Sequence, residues 1–424
     1  MTTTSPERGI PTRDVGALTA RGARTREQIR SAALGLFVDP GYRATSLRDI
    51  AAAAGLSHPG LLRHYPSKDD ILRDLVAEFE SVNAEWVRER QRSHAPLSAA
   101  DLARRNAERP GYLAVFTALV GEATASGHPA HDEMRRRYAR MQSSPATEQA
   151  RAYGAGRDLR VETRRLIAGW DGLQIMQLYA PDRVDVAREL DRDAELVARP
   201  YADGAPPRPP TGIAPSPLPE MRLPSAPIRP HGNSAGRARR DRILRDATAL
   251  FAREGYGDTS MRSIAERVGV SKSALFHHYP TKEDLLQAVL SERDKEIGRA
   301  LPILSATTAA AALREIPDGA ARNATAAPGL IEVYTVLSCE ATASRHPAHA
   351  YFSKRFHASI DMFRALFEAA AADGDLPPHR DPEHEAVWLV ALWDGLQIQW
   401  LYDRENVDIA AILRTHLEDV LPRR

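Results

Sequence analysis

The sequence predicts an all-α protein built from two tandem copies of one helical unit. Three observations predict it: apolar residues at helical spacing, long internal repeats, and a proline-rich stretch between the halves. Ile29, Ala32, Ala33, Leu36 and Phe37 fall on one helix face, as do Leu47, Ile50, Ala51 and Ala54. Met261, Ile264, Ala265 and Val268 do the same in the second half, and no convincing alternating run marks a strand. Segment 33–72 returns as 247–286 without a gap, 110–131 returns as 328–349, and WDGLQIMQLY at 170–179 returns as WDGLQIQWLY at 393–402. Similarity therefore runs through the whole of each half.

The elements follow in order. Residues 1–23 read as a polar, disordered tail, 24–72 as the first short helical domain, and 73–197 as a helical bundle. A linker covers 198–236, and 237–286 and 287–421 repeat the two domains. Eleven of the 31 residues from Pro200 to Pro230 are proline, a composition that builds no core and reads as a semi-stiff spacer. A length of 424 residues fits several domains, and 43% hydrophobic content suffices for their cores. Apolar runs stop short of membrane-spanning length, and Met1–Arg26 lacks the apolar core of a signal peptide, so a cytoplasmic protein is expected. The single Cys339 excludes an intrachain disulfide framework. Net charge is +1, yet 21–73 carry +4 and 237–286 carry +3, leaving −6 for the rest. Two basic segments in an acidic chain are the expected footprint of phosphate contact.

Within those segments, Thr45 can cap a helix that Gly55 ends by adopting a left-handed conformation. Leu56 is then buried in the turn. Ser57 caps a second helix reaching about Tyr65, Pro66 stops it, and Ser67 with Asp70 forms a capping box for the next. Thr259, Gly269, Val270, Ser271, Tyr279, Pro280, Thr281 and Asp284 repeat every device. A short helix, a glycine turn and a second short helix form the arrangement that places the second helix in the major groove.

These segments resemble the N-terminal domain of the TetR family of transcriptional regulators. The resemblance rests on GY after the first helix, T-S-[LM]-R-x-I-A in the second, and the HY-P-[ST]-K-[DE]-[DE]-[IL]-L run. It implies two TetR-like units, each a three-helix helix-turn-helix domain plus a helical ligand and dimerisation domain, paired as a pseudo-dimer. It also implies a repressor that binds double-stranded operator DNA and is released by a small-molecule effector. Carried over by position, the DNA-binding residues are Thr45, Arg48, Ser57, His58, Pro59, Gly60, Arg63, His64 and Lys68. Their counterparts are Thr259, Arg262, Ser271, Lys272, Ser273, Ala274, His277, His278 and Lys282. Lys272 and His58 are candidates for guanine recognition, while Thr45, His64, Lys68, Thr259, His278 and Lys282 are candidate phosphate clamps. Leu62 and Phe276 stand where the family commonly has tyrosine, which removes a hydroxyl-to-phosphate bond. Pocket candidates by resemblance are Phe116, Glu122 and Tyr138, with Tyr334, Glu340 and Phe356.

A linker of about 40 residues reaches roughly 35 Å as a flexible coil, enough for the second copy to fold back on the first. Pairing is then intramolecular, through a four-helix bundle of about 131–152, 161–179, 349–372 and 383–402. Trp170, Trp393, Leu173 and Leu396 form either its apolar centre or the core of each copy. The differing recognition segments SHPGLLRHY and SKSALFHHY predict an asymmetric operator. The pairs His128 and His131, and His346 and His349, have a spacing that suits metal, but no third ligand is evident. No cofactor, metal site or membrane partner is expected. No nucleophile elbow or nucleotide-binding glycine loop points to an enzyme.

Overall fold

The computed structural model describes residues 15–94, 97–141, 158–198, 215–219, 234–300, 306–326 and 328–421, and among them no strand occurs. Most of the expected linker, the first fourteen residues of the tail and the 142–152 end of one bundle helix lie outside the described residues.

In copy one, α1 is Val15–Leu36, α2 Leu47–Ala53, α3 His58–Leu62 and α4 Lys68–Arg92. The bundle adds α5 (Ala99–Ala107), α6 (Tyr112–Glu122), α7 (His131–Met141), α8 (Leu159–Tyr179) and α9 (Val186–Ala198). Copy two begins with α10 (Ser234–Asp258), α11 (Met261–Val268), α12 (Lys272–His278) and α13 (Lys282–Ala300). It continues with α14 (Ala309–Arg314), α15 (Ile316–Ala326), α16 (Pro328–Glu340), α17 (His349–Ala372), α18 (Pro382–Tyr402) and α19 (Ile409–Val420). Two boundaries differ from expectation: α1 begins inside the supposed tail, and α10 begins at the end of the supposed linker. Within the linker, Ser216 donates its backbone N–H and its hydroxyl to Asp373, which ties this stretch to copy two.

The first four helices of each copy close on a small apolar core. Ile29, Ile50, Leu61 and Ile71 are fully buried in copy one, as are Ile243, Ile264, Leu275 and Leu285 in copy two. The caps correct one expectation: Ser46 and Ser260, not the threonines before them, start the second helices, with Asp49 and Ser263 closing the boxes. Thr45 and Thr259 are buried instead, and their hydroxyls donate to the carbonyls of Gly41 at 2.8 Å and Gly255 at 2.7 Å. A threonine hydroxyl can satisfy a buried carbonyl or an exposed N–H, and the preceding turn brings the carbonyl closer.

The copies meet along α8 and α18, which cross where there are no side chains to hold them apart. A Cβ on Gly172 would lie 1.9 Å from the Ala391 carbonyl oxygen, and one on Gly395 would lie 1.8 Å from that of Ala168. Offset by the repeat, these are the same contact made twice, the mark of an isologous interface. A second reciprocal pair confirms the dyad: the Tyr179 hydroxyl donates to the Ser338 carbonyl and that of Tyr402 to the Val120 carbonyl, both at 2.6 Å. The helix pairs α7/α8 and α17/α18 form the four-helix contact, and α6 packs on α16 beside it. At the crossing the contact is glycine on alanine, and the tryptophan that packs across it is Trp388, whose ring lies against Gly169, not Trp170 or Trp393. Trp170 and Trp393 line spaces within their own copies, because two residues along a helix turns roughly 200° away from the glycine face.

Candidate nucleic-acid interface and effector cavity

Each recognition helix is held by one buried apolar residue and one serine cap. Leu61 and Leu275 are 0% exposed and anchor α3 and α12. Ser57 accepts from the Gly60 N–H and Ser271 from the Ala274 N–H, each at 3.2 Å. The turns before them carry left-handed φ at Gly55 (+66°) and Gly269 (+72°), a conformation glycine adopts without strain. Pinned this way, the remaining side chains point outward. Ser57, Pro59 and Arg63 are exposed and His58, Gly60 and His64 half-buried; Ser271, Lys272, Ser273 and His277 are exposed and Ala274 and His278 half-buried. Burial, with His277, Arg239 and Arg240 nearby, holds the His278 imidazole below its usual pKa. Arg48 and Arg262 project from the helices before, and Arg262 pairs with Glu266 at 2.8 Å.

Leu62 and Phe276 are exposed apolar residues on the same outward faces, at 39% and 37%. Lys272 extends over the Phe276 ring, with its ammonium 5.5 Å from the centroid.

Four expected phosphate clamps point elsewhere. The threonines are buried as described. Lys68 donates to the carbonyls of Tyr42 at 2.9 Å and Thr45 at 3.0 Å, and Lys282 to those of Tyr256 and Thr259, both at 2.7 Å. Each ammonium also sits over a tyrosine ring, 4.3 Å from Tyr42 and 4.1 Å from Tyr256, and burial lowers both lysine pKa values. In this arrangement each lysine ties the start of the fourth helix to the turn before the second, whose carbonyls attract a cation.

In copy one a cavity of about 440 Å³ opens between α4, α5, α6, α7 and α8. Asn83, Tyr112, Arg137, Trp170, Asp171 and Gln174 line it. Burial pushes the Asp171 carboxyl up to about 6, opposed by Arg137 and the Tyr138 hydroxyl. Sequence reasoning missed most of these positions. Their signal was present: Asn83, Asp171 and Gln174 are polar residues on otherwise buried helix faces.

The six candidate pocket residues are placed differently. Phe116 stacks on Tyr112 at 5.8 Å behind the cavity wall, with Arg137 over its ring. Tyr138 packs against Tyr402 at 5.3 Å and Phe356 against Tyr179 at 5.4 Å, so both belong to the contact between copies. One residue along a helix turns about 100°, so Arg137 facing the cavity sends Tyr138 to the partner copy. Glu122 and Glu340 lie at the dyad and face Arg43, which binds Glu122 through two nitrogens and approaches Glu340 to 3.9 Å. Tyr334 alone borders an internal space, a void of about 40 Å³ in copy two. Within the histidine pairs, Nδ1 of His131 meets the Ala123 carbonyl at 2.9 Å and that of His349 the Ala341 carbonyl at 3.0 Å, while Nε2 of His128 faces Asp69 at 3.7 Å and that of His346 faces Glu340 at 3.6 Å.

Comparison with known proteins matches residues 29–75 and 243–289 to the family of bacterial regulatory proteins, tetR family. Residues 332–422 match the C-terminal domain of BetI-type transcriptional repressors. The HTH-type transcriptional regulatory protein RaaS of Mycobacterium tuberculosis is 29% identical over 187 residues, covering 43% of this chain and 81% of RaaS. The HTH-type transcriptional repressor KstR of Mycolicibacterium smegmatis is 28% identical over 188 residues, covering 41% of this chain and 82% of KstR. A TetR-family regulator from Agrobacterium tumefaciens of known structure is 23% identical and covers 44% of this chain and 99% of its own, with a TM-score of 0.38. Two matched N-terminal domains, each continuing into a helical bundle, leave one conclusion: the chain belongs to the TetR family of helix-turn-helix transcriptional regulators and carries two TetR-like copies in tandem.

Proposed function

We propose that the protein is a sequence-specific repressor in which both helix-turn-helix units of one chain hold one operator, released when a small molecule binds the C-terminal bundle. The observation that carries the reading is the outward face of α3 and α12. In each, a single leucine is buried; Lys272, Ser273 and His277 face solvent in copy two, and Pro59, Leu62 and Arg63 do so in copy one, with His58 half-buried. Lys272, Ser273 and His277 read one half-site, and His58, Arg63 and Leu62 the other. An ammonium suits guanine O6 and N7, and the exposed Leu62 and Phe276 suit a thymine methyl. The tandem arrangement makes the chain its own dimer, monomeric in solution, with half-sites about one helical turn apart. Its DNA target places it in the cytoplasm.

Selecting bound sequences from random DNA tests this. The expected product is an operator with two unlike half-sites, bound by one chain as measured by light scattering. A perfectly palindromic product, or no binding to any DNA at low salt, overturns the reading.

A further inference from the structure

We propose that the chain takes one effector molecule, in copy one only, and that this effector is a largely apolar compound carrying a hydrogen-bond donor. The inference rests on the reading of the bundle as an effector domain and deepens it.

The copy-one cavity, about 440 Å³, lies within the size range of small-molecule sites. Leu102, Tyr112, Ile167 and Trp170 give it apolar walls. Its polar demand is specific. Asn83 is 8% exposed and donates through Nδ2 to Asn106 Oδ1 at 2.7 Å, yet its own Oδ1 has no protein partner. Asp171, 5% exposed, leaves Oδ2 in the same state. Two buried acceptors on one cavity call for a donor on the occupant. Arg137 pairs with Glu80 through Nε and leaves its buried Nη1 without a hydrogen bond, so the cavity also offers one donor, to a neutral acceptor as readily as to an anion.

Copy two builds the same framework and fills it. Arg293 stands at the repeat position of Phe79, with its guanidinium 3.5 Å from the centroid of the Tyr334 ring. Arg355, the counterpart of Arg137, binds Asp294, the counterpart of Glu80, at 2.9 Å. Tyr334 replaces Phe116 and donates its hydroxyl to Asp394, the counterpart of Asp171, at 3.1 Å. Ile297 stands in the sequence where copy one has Asn83. Among the described residues of copy two, the spaces beside Trp393 measure about 20 and 40 Å³, well below the size of small-molecule sites.

The probe for the test is N-phenyl-1-naphthylamine, an uncharged apolar molecule with one N–H, titrated into the full chain by equilibrium dialysis and fluorescence. One molecule should bind per chain. Asn83→Leu should weaken binding about tenfold, and Ala84→Phe, which fills the cavity, should remove it. Tyr334→Phe in copy two should leave it unchanged. Folding of each variant is checked by its thermal transition, and wild-type stoichiometry decides if a copy-one variant does not fold. Two molecules per chain, no saturable binding, or a folded Asn83→Leu variant binding like wild type overturns the proposal. Binding once per chain with no change in operator affinity leaves the site standing and removes its regulatory role.

Discussion

Replacing Arg43 with alanine should destabilise the protein in a way that depends on pH. The Arg43 side chain is 8% exposed and faces three carboxylates: Glu122 from copy one, and Glu340 and Asp258 at 3.0 Å from copy two. Glu340 keeps a lowered pKa despite burial, because His346, Arg43 and the Tyr256 N–H serve it. Glu122 is different. Burial pushes it up to about 7 from an ordinary 4.5 even with Arg43 in place. Without the guanidinium its cheapest course is to take up a proton. A carboxyl neutral in the folded state and charged in the unfolded state costs about 1.4 kcal/mol for each pH unit above its unfolded pKa. Wild type already carries most of that cost at pH 7.5, because its Glu122 is pushed up to about 7. The further loss that this carboxyl adds in the variant is therefore capped at roughly 1 kcal/mol at pH 7.5 and is close to zero at pH 5.5. The sign follows from the raised folded pKa: stability is lost as pH rises from the unfolded value toward the folded one. Thermal melts of wild type, Arg43→Ala and Arg43→Ala/Glu122→Gln at both pH values check this. The single variant should lose about one or two degrees more at pH 7.5 than at pH 5.5, and in the double variant that difference should vanish. A loss equal at both pH values, or larger at pH 5.5, refutes the reasoning.

Other substitutions separate reading DNA from holding the fold. Lys272→Ala removes an exposed cation from α12 and should weaken operator binding by about 1–3 kcal/mol while relaxing base preference in one half-site, with an unchanged melting temperature. Lys282→Ala should instead lower the melting temperature, costing about 1–2 kcal/mol, because two carbonyls lose a charged donor. Gly172→Leu should separate the copies, since its Cβ would meet the Ala391 carbonyl at 1.9 Å. Small-angle scattering should show an increased radius of gyration, and an unchanged profile counts against the crossing described.

Much of the fold was legible because it is local. The helix-turn-helix follows from apolar spacing, a glycine and a serine cap, all within about twenty residues. The capping boxes at Ser67 and Thr281 form as the spacing requires. What was not legible depends on how helices turn when they pack. Thr45 and Ser46 are both good caps, and only the position of the Gly41 carbonyl decides between them. Lys68 reads as a phosphate ligand until the turn carbonyls of Tyr42 and Thr45 come within 3.0 Å of it. Similarly, Trp170 lies on the most repeated segment, which marks it as important without saying which side of α8 meets the other copy. Gly172, two residues on, carries that information, since close approach of backbones needs a residue without a side chain.

Across the dyad the two copies match at some contacts and differ at others. Tyr179 with Tyr402, and Gly172 with Gly395, are matched pairs making matched contacts. Arg43 and Gly257 occupy one repeat position yet touch each other, and a Cβ on Gly257 would lie 2.8 Å from the Cβ of Arg43. Two identical copies with arginine at this position could not close in the same way: the side chains would collide and two guanidinium groups would share the dyad. One arginine between Glu122 and Glu340 is a solution open only to unlike partners. The same freedom lets Arg293 fill one cavity while Phe79 leaves the other open. It also lets Lys272 and His58 present different chemistry to the two halves of a site. Fusing the copies releases each position from having to face itself, and the dyad arginine, the cavity and the recognition helix are among the places where the two sequences differ.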